Sequence, residues 1–188
     1  MEGKGDELGW CSVWAQPSSV EEPPGLRPAM LHLRTLFQAP AFEPHVTVLG
    51  VGTQKLSLEQ ASLSLRAACR SLPPFTCRLT RPSCGNTFYQ CVYMLVDPSH
   101  EVLQANKLVQ GVFETQQSNQ VYMPHMSLLY ADLTADDKEK ARLLVEENYG
   151  SQLCETEFLV SSLSLYSTDI NDKALTSWKK VAEFPLEG

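Results

Sequence analysis

Three observations predict an α+β fold of two similar lobes within one domain over residues 1–188. Stretches with strand and helix periodicity interleave along the chain instead of falling into separate blocks. A seven-residue pattern occurs twice, as FEPHVTV (42–48) and YMPHMSL (122–128), each copy after a helical stretch and a loop. No sharp linker separates the two copies. An internal duplication of this kind sets the two motif strands side by side about a pseudo-twofold axis, with the histidines facing one another across a cleft.

The elements follow in order. WCSVWAQ (10–16) reads as a first strand. After the loop SSVEEPPG, Leu26, Ala29, Met30, Leu33, Leu36 and Phe37 recur at helical spacing until Pro40 ends the pattern. HVTVLGV (45–51) is a short strand. Ser57 and Gln60 form a capping box for a second helix, whose apolar face holds Leu58, Ala61, Leu65, Ala68, Cys69 and Leu72. FTCRLTRPSC (75–84) and TFYQCVYMLV (87–96) read as two strands around a turn at Gly85-Asn86. Asp97-Pro98 is expected to start a third helix carrying Ala105, Leu108, Val109, Val112 and Phe113. The polar loop QQSNQ leads into the second motif strand, MSLLYA. Thr134 and Asp137 cap a charged helix to about Asn148, and FLVSSLSLYST and TSWKKVAEF close the chain as strands.

Composition narrows the function classes. With 43% hydrophobic and 20% charged residues the chain is a folded globular protein, not a disordered one. No apolar run approaches the ~20 residues that cross a bilayer, and MEGKGDELGW lacks the apolar segment of a signal peptide. A soluble, cytoplasmic protein with no membrane partner is expected. Six cysteines without a CxxC pair argue against a zinc site and a secreted disulfide scaffold. The net charge of −7 disfavours a long nucleic-acid partner, because such binding rests on many neutralised phosphates. A small anionic ligand needs only a few local donors.

In a strand, residues i and i+2 share a face. His45 and Thr47 therefore point one way, as do His125 and Ser127, while Val46, Val48, Met126 and Leu128 point into the core. Pro44 and Pro124 stiffen the chain just before each histidine and hold Glu43 and Met123 extended. Each motif presents an imidazole and a hydroxyl together on a rigid strand. Two such pairs facing each other suit phosphoester chemistry: one imidazole takes a proton from water and the other gives one to the leaving alkoxide. The hydroxyls can donate to the non-bridging oxygens of pentavalent phosphorus. No metal or other cofactor is expected, since two histidines without a carboxylate or cysteine at ligand spacing make a poor metal site.

These residues resemble the His-x-Thr/Ser signatures of the two-histidine phosphoesterases, and more closely the plant-type cyclic phosphodiesterases. SVWA (12–15), PHVTV (44–48), FYQCV (88–92) and YMPHMSLLYA (122–131) match that family in order, over nearly the whole chain. The resemblance implies a bilobal fold, two pseudo-symmetric antiparallel sheets flanked by helices, with both motifs in a central cleft. It implies hydrolysis of ADP-ribose 1″,2″-cyclic phosphate, a by-product of tRNA splicing, and opening of nucleoside 2′,3′-cyclic phosphates to 2′-phosphates. Carried over, His45 and His125 are the acid/base pair and Thr47 and Ser127 bind the phosphate. Tyr130 stands at the family's aromatic position near the nucleoside, with Trp14 at the same rim. His125 is expected as the base on water and His45 as the acid towards the leaving 3′ oxygen, although pseudo-symmetry leaves the two interchangeable by spacing. Family members carry a cysteine near the C-terminus, able to bridge to a helix cysteine like Cys69. Phe184 stands near that place here and is expected to pack.

Other residues read as structural: His32 and His100 on helices, Arg78 and Arg81 on a solvated sheet edge. Phe88 and Tyr89 are candidates for the cleft mouth, one of them as core. A monomer acting on a small cyclic-phosphate nucleotide is the leading expectation. An RNA-end phosphodiesterase or ligase-like enzyme and a non-catalytic nucleotide-binding module are the alternatives.

Overall fold

The structure is a computed structural model describing residues 10–52, 56–113 and 121–188. The N-terminal residues of MEGKGDELGW before Trp10 and the loop QQSNQ lie outside the described residues. The chain runs β1 (Trp10–Ala15), α1 (Leu26–Phe37), β2 (Val46–Gly52), α2 (Leu58–Arg70), β3 (Phe75–Cys84), β4 (Val92–Val96), α3 (His100–Val112), β5 (His125–Leu129), α4 (Ala135–Leu153), β6 (Glu157–Val160), β7 (Ser162–Ser167) and β8 (Lys179–Pro185).

Every strand pairing is antiparallel, in the order β6-β3-β4-β5-β2-β1-β7-β8. Among the described residues the two four-stranded halves share one ladder pair, Val46 on β2 with Met126 on β5. The result is one curled sheet with its seam between the two motif strands. Helices α1 and α4 pack on the β5-β4-β3 half, and α2 and α3 on the half holding β2, β7 and β8. Each half thus buries one face under two helices, which leaves the other free to form a cleft.

The caps read from sequence form as expected at two helices. Ser57 Oγ accepts from the Gln60 N–H at 3.2 Å, and Gln60 Oε1 accepts from the Ser57 N–H at 3.0 Å. Thr134 Oγ1 accepts from the Asp137 N–H at 3.2 Å. The third cap lies two residues later than expected. Ser99, not Asp97, caps α3, accepting from the Val102 N–H, because Asp97 is held at the end of the hairpin by its own N–H to the Arg78 carbonyl (2.8 Å). Its carboxylate pairs with Arg78, which also bridges to Glu155.

Two expected strands are divided. In TFYQCVYMLV only Val92–Val96 is strand, and Phe88–Gln90 is a 3-10 turn. Gly85 starts this detour: a Cβ there would lie 2.5 Å from the Gln90 carbonyl oxygen, so only glycine permits the close approach. FLVSSLSLYST splits at Ser161, where β6 pairs with β3 and β7 with β1. The buried positions explain the break. Phe158 and Val160 are followed by Leu163 and Leu165, a three-residue step that flips the alternation by one and lets the chain change partners.

The six cysteines are unpaired, with Cys69 buried and Phe184 packed against the core. Among the described residues no helix is long and apolar enough to cross a membrane.

Candidate active site

Extending the Val46–Met126 pairing by one residue each way sets His45 opposite Ser127 and Thr47 opposite His125. The four signature side chains therefore form a square on the cleft face, each imidazole beside the other motif's hydroxyl. Val46, Val48, Met126 and Leu128 are buried behind them, as the alternation requires. Each motif strand carries a bulge at the residue after its hydroxyl. Val48 is unmatched between Leu49–Val13 and Thr47–Trp14, and Leu128 is unmatched between Leu129–Val92 and Ser127–Tyr93. A bulge bends its strand and increases the twist, so both strands turn away from the seam at equivalent points. The backbone groups this frees are satisfied nearby: Tyr122 Oη donates to the Thr47 carbonyl (2.9 Å) and Asn106 Nδ2 to that of Val48 (2.6 Å).

The Pro-His pairs serve the histidines directly. His45 Nδ1 lies 2.7 Å from the Glu43 carbonyl oxygen, and His125 Nδ1 lies 2.8 Å from that of Met123. A carbonyl has no proton to give, so each Nδ1 carries the hydrogen and each Nε2 is left for chemistry. The proline between carbonyl and histidine fixes this geometry. Both rings are thus held in the same tautomer by the same three-residue device.

Their surroundings differ. His45 is 3% exposed, and burial lowers its pKa to about 4, with the Glu43 carbonyl opposing the shift and His125 adding to it. Burial also lowers the pKa of the half-buried His125, against the Met123 carbonyl. His45 Nε2 accepts a hydrogen bond from Tyr130 Oη at 3.3 Å, and burial raises the Tyr130 pKa. Trp14 lies flat on His45, with centroids 3.6 Å apart and planes at 6°. Phe42 meets His45 edge-on and stacks on Tyr130 at 4.0 Å. Trp14, expected at the rim, is 2% exposed and forms the floor beneath His45, because it faces Thr47 across the β1–β2 ladder. Tyr130, 4% exposed, is likewise an inner residue against His45. Ser127 Oγ donates to the Tyr89 carbonyl at 3.3 Å.

The buried neutral His45 has a measurable consequence. Between pH 6.5 and about 4 the unfolded chain binds a proton at this residue that the folded protein refuses, so stability falls as pH drops through that window. The loss should reach about 3 kcal/mol. Unfolding by urea across this range should be markedly less pH-dependent for His45→Gln than for the wild type. Parallel curves would mean that His45 is not the group refusing the proton.

Several residues were not legible as site residues. Tyr93 faces Ser127 across the β4–β5 ladder and contacts the His125 ring at 4.9 Å, the counterpart of Trp14 facing Thr47 and covering His45. Phe42 occupies the motif's leading aromatic position, so the repeat itself held that signal. Tyr166 on β7, stacked on Trp14 at 3.6 Å, and Trp178, just before β8 and 5.7 Å from Tyr89, carried no local signal. Tyr89 also donates to the Ile170 carbonyl at 2.8 Å and Lys173 pairs with Asp132, so the β7–β8 connection reaches across to the other half. His32 lies outside the site, hydrogen-bonded to Tyr149. Among the described residues no three His, Cys, Asp or Glu side chains converge as a metal site.

Residues 22–172 match the family model of the 2′-5′ RNA ligase superfamily. A cyclic phosphodiesterase from Arabidopsis thaliana is 37% identical over 173 residues, covering 91% of this chain and 92% of that protein. Among solved structures, apo LigT from E. coli aligns with a TM-score of 0.62 at 15% identity, over 97% of this chain and 99% of the other. Usb1 from Kluyveromyces marxianus, solved with uridine monophosphate, aligns with a TM-score of 0.52 at 13% identity, over 96% and 99%. At such identities these structures share the fold alone.

Proposed function

Because the chain belongs to the 2′-5′ RNA ligase superfamily, the two-histidine phosphoesterases, we propose that it is a metal-independent cyclic phosphodiesterase of small nucleotides. Its substrates are ADP-ribose 1″,2″-cyclic phosphate, a by-product of tRNA splicing, opened to the 1″-phosphate, and nucleoside 2′,3′-cyclic phosphates, opened to 2′-phosphates. The reading rests on one arrangement: two imidazoles, each with Nε2 left for chemistry, alternating with two hydroxyls around a single seam. The protein works as a monomer in the cytoplasm, and its net charge of −7 supports a small ligand over a polynucleotide.

In this mechanism the cyclic phosphate sits over the seam, its non-bridging oxygens accepting from Thr47 and from Ser127, whose hydroxyl turns from the Tyr89 carbonyl to the phosphate. His125, the more exposed ring, takes the proton of the attacking water. Buried His45 gives its Nε2 proton to the leaving 3′ oxygen. A desolvated imidazolium is a strong acid, and the anionic phosphate supplies the charge that lets His45 hold its proton before transfer.

Hydrolysis of 2′,3′-cyclic AMP in EDTA, with 2′-AMP resolved from 3′-AMP, tests the proposal. We expect 2′-AMP. Release of 3′-AMP would overturn the assigned leaving oxygen. Absence of turnover together with nucleotide binding would identify a binding module, and a salt-sensitive preference for oligonucleotide ends would identify an RNA-end enzyme.

A further inference from the structure

The two motifs begin with different aromatics, and the difference has a use. Phe42 serves its own motif, edge-on to His45 and stacked on Tyr130. Tyr122 serves the other one: its hydroxyl crosses the seam and donates to the Thr47 carbonyl at 2.9 Å. The β2–β5 ladder has one pair among the described residues, Val46 with Met126, and Tyr122 continues the connection one residue further along β2. Burial raises the Tyr122 pKa, which keeps the proton on its hydroxyl. The next carbonyl, that of Val48 at the bulge, accepts from Asn106 Nδ2 at 2.6 Å. Asn106 is 7% exposed and lies among Val102, Ala105 and Val109 on the buried face of α3. An amide in that apolar company is costly unless hydrogen-bonded, and its bond goes to a motif strand. Tyr122 and Asn106 line one cavity of about 420 Å³ together with Thr47 and His125, so both donors stand at the wall of the site.

The two donors hold consecutive carbonyls, and with them the backbone angles on either side of the bulge. Threonine is β-branched, with a χ1 restricted by its backbone, so the direction of the Thr47 hydroxyl follows those angles. Ser127, unbranched at Cβ, is instead placed by its own hydroxyl bond to the Tyr89 carbonyl. We propose that Tyr122 and Asn106 are positioning residues, which aim the Thr47 hydroxyl at the phosphate by fixing the bulge beside it. The inference rests on the hydrolase reading for the role of Thr47 and adds two residues that act through it.

A double-mutant cycle of Tyr122→Phe with Thr47→Val tests it, since each change keeps the side-chain shape and removes one hydroxyl. Thr47→Val should lower kcat/KM on 2′,3′-cyclic AMP by about 10²-fold, the size of losing one donor to a transition-state oxygen. Tyr122→Phe should lower it about tenfold when Thr47 is present. In the Thr47→Val background, with no hydroxyl left to aim, the same change should cost less than about twofold. Asn106→Ala should repeat the pattern. Equal losses in both backgrounds would mark a general structural role and overturn the assignment of the residue concerned, as would an unchanged rate in Tyr122→Phe. Calorimetry with 2′-AMP runs the same cycle on affinity without turnover. If the wild type binds 2′-AMP but leaves the cyclic nucleotide intact, the hydrolase reading fails while the binding cycle still decides the positioning. A wild type that does neither overturns both.

Discussion

Replacing His125 with alanine should lower kcat on 2′,3′-cyclic AMP by about 10²–10⁴-fold, and His45→Ala should do the same, with little change in nucleotide affinity. In the proposed mechanism each histidine handles a proton in the chemical step, whereas Thr47 and Ser127 are the groups proposed to hold the phosphate. The double variant should be scarcely slower than either single one, because acid and base act on one transition state as a unit. The two single variants should differ in their pH profiles. His45 is stripped of water by Trp14 and Phe42 and has a pKa near 4, so it governs the acid limb in the free protein. With His45 removed, the remaining profile should follow His125, whose pKa burial lowers from the ordinary imidazole value against the Met123 carbonyl. Loss of binding in parallel with loss of rate would contradict this division between proton transfer and phosphate holding.

Trp14→Ala should destabilise the protein by about 3–5 kcal/mol, the range for truncating a buried aromatic. Trp14 on β1 is packed between His45, just before β2, and Tyr166 on β7, so the change opens a void across neighbouring elements. It should also let water reach the His45 ring and raise its pKa from about 4 towards the ordinary 6.5. Denaturant unfolding reads the first effect and an NMR titration of the imidazole the second. Trp14→Phe keeps an aromatic face on the ring and should retain most of the low pKa. A large stability loss with an unmoved His45 pKa would assign the desolvation to Phe42 and Tyr130 instead.

The content of each motif is legible from local sequence. Alternation placed His45 with Thr47 and His125 with Ser127 on one face, because side chains in a strand alternate regardless of what the strand packs against. The capping residues of α2 and α4 were likewise local, since a serine or threonine at the N-cap needs only the N–H groups of its own first turn. Tertiary structure decided everything that depended on partners. Asp97 lost its expected capping role to a pairing with Arg78 on a neighbouring strand. The register of β2 on β5 rests on one residue pair, yet it is what sets each imidazole beside the other motif's hydroxyl. Trp14, Tyr166 and Trp178 come from segments with ordinary strand or turn patterns, and only the curl of the sheet gathers them around His45. The unequal burial of two histidines in identical local motifs follows from that gathering. Local sequence specifies which groups a strand displays, while desolvation, and with it the proton affinity of each imidazole, belongs to the surroundings that the rest of the chain supplies.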